Sequence, residues 1–170
     1  NDGWLNDIRG RHIEEQHVLD AIKYAKSGYV DEGNVGAGTG TSCFGYKGGI
    51  GTSSRIIPRK HGGYTVGVLV QSNFGGVLQI DGVPIAKEMN NYPQNYKYDV
   101  DGSCMIVIMT DAPLGPRNLE RLAKRGMMGL AKTGGIASNG SGDYIIAVSN
   151  AKNNMIPYQS DTSILKIQEL

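Results

Sequence analysis

The segment Ser103–Thr110, with the sequence SCMIVIMT, constrains the fold more than any other part of the chain. Between its two terminal hydroxyl residues every side chain is apolar, which is typical of a strand buried on both faces. Gly102 precedes it, and a residue without a Cβ allows close approach and strained dihedrals. Two interpretations of Gly102-Ser103 follow. It is a turn into a strand, or Ser103 is a nucleophile placed to attack its own preceding peptide bond.

Length, net charge and hydropathy limit the kinds of partner that the sequence predicts. The chain has 170 residues, which fits a single domain over 1–170 or part of one. A net charge of +1 gives no reason to expect nucleic acid or an anionic membrane as a partner. No apolar run reaches the ~20 residues that span a bilayer. Because the sequence starts at Asn1 rather than Met, we expect a fragment or a processed chain. We expect a cytoplasmic location, and a periplasmic one stays open.

No cofactor is expected from the residues that usually hold one. Cys43 and Cys104 lack metal-ligand spacing, and we expect buried thiols rather than a disulfide. None of the three histidines pairs with a cysteine or a carboxylate at such spacing, so no metal site is predicted. The glycine-rich stretch 33–41 lacks the ending of a P-loop, and a strand-like segment follows it. A nucleotide site is therefore not expected there.

The order of predicted elements favours an α+β fold. Periodicity predicts a helix at 14–27 and another from Pro116 to Thr133, which buries Leu119, Leu122, Gly126 and Leu130. Gly126 and Gly129 weaken the second helix, which suggests close packing there. Strands are predicted at 43–57, 64–71, 77–80, 103–110 and 144–149, with 77–80 pairing back on its predecessor and a surface loop at 87–101. Runs of strands with few helices between them are typical of α+β proteins.

Four polar residues at predicted strand ends form a candidate catalytic set. Ser103 heads one strand, Ser141 and Asp143 precede or open another, and Asn73 ends a third. Each by itself is most often a turn residue. Together they supply a nucleophile, a hydroxyl–carboxylate relay and an amide that donates to an oxyanion, which are the parts that acyl transfer needs.

Several segments in one order resemble the DmpA-like aminopeptidases, a family of β-aminopeptidases and L-aminopeptidase/D-esterases. They include DGWLND at 2–7, EGNVGAGTG at 32–40, KGGIGTSSR at 47–55, VLVQSNFG at 68–75, DGS at 101–103, TDAPL at 110–114 and SNGSGDY at 138–144. The resemblance covers nearly the whole chain to about residue 150. It implies a four-layer αββα sandwich, similar to N-terminal-nucleophile hydrolases but differently connected.

The resemblance also implies a mechanism. Gly102-Ser103 would be an autocatalytic cleavage bond, which divides the chain into 1–102 and 103–170, and Ser103 would become the N-terminal nucleophile. Ser141 would relay its proton, Asp143 would polarise Ser141, and Asn73 would donate to the oxyanion. Family members often have Glu where Asp143 stands. The implied substrates are small peptides or amino-acid amides and esters, and the implied assembly is a homo-oligomer.

Two alternatives remain beside an autoprocessing serine aminopeptidase. One is an amidase or acyl transferase of the same family that acts on a pantetheine-type or other amide. The other is a catalytically silent protein of the same fold that serves in binding or assembly. The Asp143 substitution keeps the second alternative open, whereas a complete set of polar groups favours catalysis.

Overall fold

The structure is a computed structural model that describes residues 5–89, 102–156 and 158. Its helices are α1 (Glu15–Lys23), α2 (Ile85–Glu88) and α3 (Pro116–Lys132). Its strands are β1 (Ser42–Cys43), β2 (Tyr46–Lys47), β3 (Gly49–Ile56), β4 (Thr65–Asn73), β5 (Gln79–Ile80), β6 (Val83–Pro84), β7 (Ser103–Thr110) and β8 (Gly142–Ser149). Within these described ranges, no helix combines the length and hydropathy that a bilayer crossing requires.

A mixed sheet of four strands forms the centre of the molecule. Its order is β3-β4-β7-β8, with β3–β4 and β4–β7 antiparallel. β7 and β8 are parallel, and α3 lies between them in the chain. Parallel neighbours need a crossover connection, and a helix is its usual form. The α+β class predicted from the sequence is confirmed.

The apolar run does form the central strand β7, but it is buried unequally on its two faces. Cys104, Ile106 and Ile108 are buried and form a core cluster with Leu130 of α3. Side chains alternate along a strand, so the odd-numbered residues face the other way. Met109 on that face is 48% exposed. The predicted burial is therefore confirmed for the face that α3 covers. It is wrong at Met109 on the opposite face.

Helix α3 begins and ends where the sequence predicts. Pro116 occupies its first turn, where the missing N–H has no cost, and Thr133 is its C-cap. Close packing is confirmed for Gly126, where an added Cβ would lie 2.8 Å from Cδ1 of Ile145. It is wrong for Gly129, where an added Cβ would meet nothing within 4 Å.

Three other predictions need correction or lie outside the described residues. The segment 77–80 does not pair back on β4, because the Val77 N–H donates to the Gly134 carbonyl and β5 pairs with β6. Helix α1 is shorter than 14–27. Of the predicted loop at 87–101, residues 87 and 88 belong to α2 and 90–101 are not described.

The two helical glycines give a matched stability test. Gly129→Ala should raise the free energy of unfolding by about 1 kcal/mol, because alanine favours the helix and the added methyl meets no neighbour. Gly126→Ala makes the same change but presses on Ile145, so we expect a smaller gain or a loss. Urea unfolding of both variants measures the difference. Equal stabilisation would contradict the described packing of α3 on β8.

Candidate active site

Three strand ends meet at Ser103, the first residue of β7. Ser103 lies opposite Asn73 at the end of β4 and opposite Gly142 at the start of β8. Directly opposed residues in a sheet share a face, and in an antiparallel pair such as Ser103 and Asn73 their β-carbons are about 5 Å apart. The strand pairing therefore gathers residues that are distant in sequence around one serine at the edge of the sheet.

The Ser103 hydroxyl contacts the peptide bond that precedes it. Its Oγ donates a hydrogen bond of 2.5 Å to the Gly102 carbonyl oxygen. The same oxygen accepts a hydrogen bond of 3.1 Å from the Gly142 N–H. This second bond continues the parallel β7–β8 ladder by one residue beyond Ser103. A backbone donor thus polarises the carbonyl that lies beside the candidate nucleophile.

Gly102 is held too tightly for any larger residue. It is buried, and an added Cβ would lie 2.5 Å from the Asn73 carbonyl oxygen and 2.5 Å from Cα of Phe74. Both obstacles are backbone atoms, which cannot rotate away as the end of a side chain can. Glycine before Ser103 is therefore a steric requirement of the described geometry.

The Asn73 side chain is oriented by a neighbouring backbone group. The Ser42 N–H donates a hydrogen bond of 3.1 Å to Oδ1 of Asn73. A backbone N–H can pair only with the oxygen of a carboxamide, so this contact identifies the acceptor end of the group. Nδ2 is then the donor end, on the face of the sheet that Asn73 shares with Ser103.

Ser141 and Asp143 lie beside the site with buried polar atoms that have no partner among the described residues. These atoms are Oγ of Ser141 and Oδ1 of Asp143. An unpaired buried polar group costs about 1–3 kcal/mol and calls for an explanation, such as a role in catalysis. Asp143 lies opposite Cys104, and alternation along β7 puts Cys104 on the other face from Ser103. The relay from Asp143 through Ser141 to Ser103 stays a prediction.

The thiol of Cys104, next to Ser103, is held in its protonated form by its surroundings. Burial raises the pKa of Cys104 to about 12, and the nearby Asp143 carboxylate and the Cys43 thiol add to this effect. The thiolate is the reactive form of cysteine, and it is scarce at neutral pH when the pKa is this high. The raised pKa means that this thiol stabilises the fold below its unfolded pKa, and that this stabilisation is lost as the pH rises toward 12.

Two groups at the site were missed by the sequence analysis, and both are backbone donors. They are the N–H of Gly142, bonded to the Gly102 carbonyl, and the N–H of Ser42, bonded to Asn73. Every residue but proline carries an N–H, so residue type gives no signal for such a donor. Strand register alone identifies the first, and the fold of the β1–β2 hairpin identifies the second.

Comparison with known proteins finds a matching peptidase family and relatives among the aminopeptidases. The family model of peptidase family S58 matches residues 1–170. The chain is 46% identical over 169 residues to the beta-peptidyl aminopeptidase BapA of Sphingosinicella microcystinivorans, an alignment with 91% of this chain and 43% of that protein. The chain thus spans less than half the length of this curated relative.

Solved structures agree in fold over the whole chain. A protein of Pyrococcus horikoshii OT3 superposes with a TM-score of 0.86 at 49% identity and covers 100% of this chain and 46% of its own. The L-aminopeptidase D-Ala-esterase/amidase of Ochrobactrum anthropi, described as a variant of the Ntn hydrolase fold, gives 0.85 at 40% identity, over 99% and 46%. The fold is therefore of the Ntn hydrolase type predicted from the sequence, and the chain belongs to peptidase family S58.

Proposed function

We propose that the protein is an autoprocessing serine aminopeptidase that releases N-terminal residues from small peptides, amides or esters through an acyl-enzyme on Ser103. The observation that carries the proposal is the position of the Ser103 hydroxyl, 2.5 Å from a carbonyl oxygen that the Gly142 N–H also holds. Membership of family S58 and the names of its relatives, beta-peptidyl aminopeptidase and L-aminopeptidase, support this class of reaction.

Self-cleavage would proceed as an acyl shift from nitrogen to oxygen. The Ser103 Oγ adds to the carbonyl carbon of Gly102, and the negative charge that develops on the carbonyl oxygen is stabilised by the Gly142 N–H. The C–N bond then breaks and the hydroxyl proton passes to the nitrogen, which leaves an ester between Gly102 and Ser103. Water hydrolyses the ester to a Gly102 carboxylate and a free Ser103 hydroxyl.

Cleavage would also create the base for later turnovers. The new α-amine of Ser103 has an unperturbed pKa near ~7.8, much closer to neutrality than the ~10.4 of a lysine. An amine of this pKa can take the proton from the Ser103 hydroxyl when it attacks a substrate carbonyl. Asn73 would donate to the oxyanion from the same face of the sheet as Ser103.

Ser141 and Asp143 would complete the proton path. Their unpaired atoms are buried next to the strand end where the amine forms, and a polar partner there would satisfy them. In the uncleaved chain the Asp143 side chain lies on the Cys104 side of the sheet. We therefore assign the pair to the amine that cleavage releases, rather than to the hydroxyl of the uncleaved chain. Assembly into a homo-oligomer remains a prediction.

Removal of the nucleophile should abolish both reactions. Ser103→Ala in the full-length protein should stay a single chain by intact-mass measurement and should hydrolyse no aminoacyl nitroanilide, because no hydroxyl remains to attack. Ser53→Ala, an exposed serine on β3, is the matched control and should be cleaved and active. A cleaved, active Ser103→Ala variant would sink the proposal.

A substrate panel separates the aminopeptidase from its alternatives. It contains α-aminoacyl nitroanilides, β-amino amides and pantetheine amides. Turnover of either of the first two supports the aminopeptidase, and turnover of the third alone favours the pantetheine-type amidase. A wild-type chain that stays uncleaved and resists serine-directed acylating reagents would instead indicate a catalytically silent protein.

The steric requirement at Gly102 gives a second test of self-cleavage. Gly102→Ala should slow cleavage at least tenfold, because the added methyl would displace the backbone at Asn73 and Phe74 and with it the scissile carbonyl. Gly51→Ala is the control, since an added Cβ there meets nothing within 4 Å. A time course on a denaturing gel measures both rates. Cleavage of Gly102→Ala at the wild-type rate would mean that the carbonyl is not held as described.

The proposed relay predicts that activity and stability respond in different ways. Ser141→Ala should lower amide hydrolysis by roughly 10²–10⁴-fold. Its free energy of unfolding should be unchanged or higher, because the lost hydroxyl has no partner in the structure. Thr110→Val is the contrasting variant: it removes a buried hydroxyl that bonds the Thr65 carbonyl and the Ala112 N–H, so it should cost about 1–3 kcal/mol. Full activity in Ser141→Ala would remove Ser141 from the mechanism.

A further inference from the structure

A small hairpin contacts the site from outside the central sheet. It comprises β1, β2 and the turn between them, residues 42–47, and is called here the clamp hairpin. At its turn Phe44 and Gly45 have φ values of 54° and 81°. Two consecutive residues with positive φ form the tight turn that joins short antiparallel strands. The hairpin is thus a compact unit, and it contacts Asn73, the last residue of β4, and Phe74, which follows it.

The clamp hairpin touches the site through two backbone donors. The Ser42 N–H bonds Oδ1 of Asn73 at 3.1 Å, and the Phe44 N–H bonds the Phe74 carbonyl at 2.9 Å. Ser42 lies on β1 and Phe44 lies in the turn of the same hairpin, and both N–H groups bond to the segment at the end of β4. The hairpin therefore holds Asn73 by its side chain and Phe74 by its backbone.

An aromatic contact fixes the distance between the hairpin and the site. The rings of Phe44 and Phe74 meet edge to face, with centroids 5.0 Å apart and an interplanar angle of 80°. Phe44 is only 9% exposed. Phe74 is also the residue whose Cα closes the space beside Gly102. The same contact therefore braces the wall behind the scissile carbonyl.

The base of the hairpin is anchored as well. Thr41, 1% exposed, donates from Oγ1 to the Gly38 carbonyl, and Lys47 Nζ donates to the same oxygen at 2.6 Å. The Gly48 N–H closes the hairpin on the Thr41 carbonyl. An added Cβ at Gly48 would lie 2.6 Å from the Ser72 carbonyl oxygen, so the hairpin packs directly on β4. The glycine-rich stretch therefore supports the hairpin.

We propose that the clamp hairpin is the positioning element of the oxyanion site, and that the Ser42 N–H orients the Asn73 carboxamide so that Nδ2 serves the reacting carbonyl. The amide group is planar, so fixing its oxygen also fixes the directions of the two N–H bonds. An oxyanion donor must be held in place before charge develops, since its value depends on preorganisation. This inference rests on the proposed function, because it assumes that Asn73 acts on the carbonyl that Ser103 attacks.

The test compares two variants at one position in the full-length protein. Ser42→Pro removes the N–H, and Ser42→Ala, which shortens the same exposed side chain and retains the N–H, is its reference. Relative to Ser42→Ala, we expect Ser42→Pro to lower kcat for an aminoacyl nitroanilide at least tenfold and to change KM less than threefold. Loss of a complete oxyanion donor lowers kcat by roughly 10²–10³-fold. The loss of kcat caused by a misoriented Asn73 carboxamide should therefore not exceed this range.

A double-variant cycle distinguishes positioning from a general loss of structure. In an Asn73→Ala background, Ser42→Pro should cause no further loss of kcat, because the group that it orients is already absent. If the two losses multiply, the hairpin does not act through Asn73 and the inference is wrong, while the proposed function stands. If Asn73→Ala is fully active, the oxyanion role of Asn73 fails. A wild type with neither cleavage nor turnover overturns the proposed function itself.

A second route is available if Ser42→Pro does not fold. Phe44→Leu leaves every backbone donor in place and loosens the ring contact with Phe74. We expect Phe44→Leu to lower kcat. Phe44→Tyr should keep the wild-type kcat, since tyrosine retains the edge-to-face geometry. Leu122→Ala, a partly buried residue that packs on the core cluster, should lower stability and leave kcat unchanged. If Phe44→Leu lowers only the melting temperature and leaves kcat intact, the positioning role is excluded.

Discussion

The parallel pairing of β7 with β8 is the interaction on which the site depends. It places the Gly142 N–H on the Gly102 carbonyl, directly before the serine. A slip of one residue would move every side chain of the strand to the other face, so the register decides whether the carbonyl has a donor at all. Helix α3 stabilises this register, because it connects the two strands and covers their buried face. The core cluster therefore maintains the geometry of a peptide bond at its edge.

The site tolerates features that a purely structural sheet edge would not. Two polar atoms, on Ser141 and Asp143, are buried without partners among the described residues. A glycine is pressed against backbone on the side where a side chain would project. Such groups lower stability, and they persist where the surrounding structure over-determines them. At this strand end they lie beside a hydroxyl in contact with a carbonyl.

The face of the sheet that α3 does not cover is partly exposed. Met109, Ile146 and Val148 lie on it and are between 42% and 49% exposed. Ser103 and Asn73 share this face at its end, because they alternate with the buried residues of their strands. In an αββα sandwich a second sheet stacks against such a face. Ser103 is thus at the end where two stacked sheets would meet.

Much of the fold was predictable because its signals are local. The apolar run of β7, the amphipathic stripe of α3 and the turn residues between β3 and β4 each specify one element. The pairing of 77–80 was predicted wrongly, since its partner is the Gly134 region, which follows α3 and is distant in sequence. Gly126 and Gly129 look alike in sequence, and only the position of Ile145 separates them. Contacts between distant segments carry no local signature.

The sequence by itself determined which chemical groups the candidate site contains. Ser103, Ser141, Asp143 and Asn73 were predicted from residue type and from their places at strand ends, and the order of their segments indicated the family. Tertiary structure decided how those groups are held: which carbonyl the Gly142 N–H polarises, and which end of the Asn73 amide the Ser42 N–H secures. The physical reason is that backbone donors are present at nearly every residue, so only strand register and hairpin packing select the ones that act.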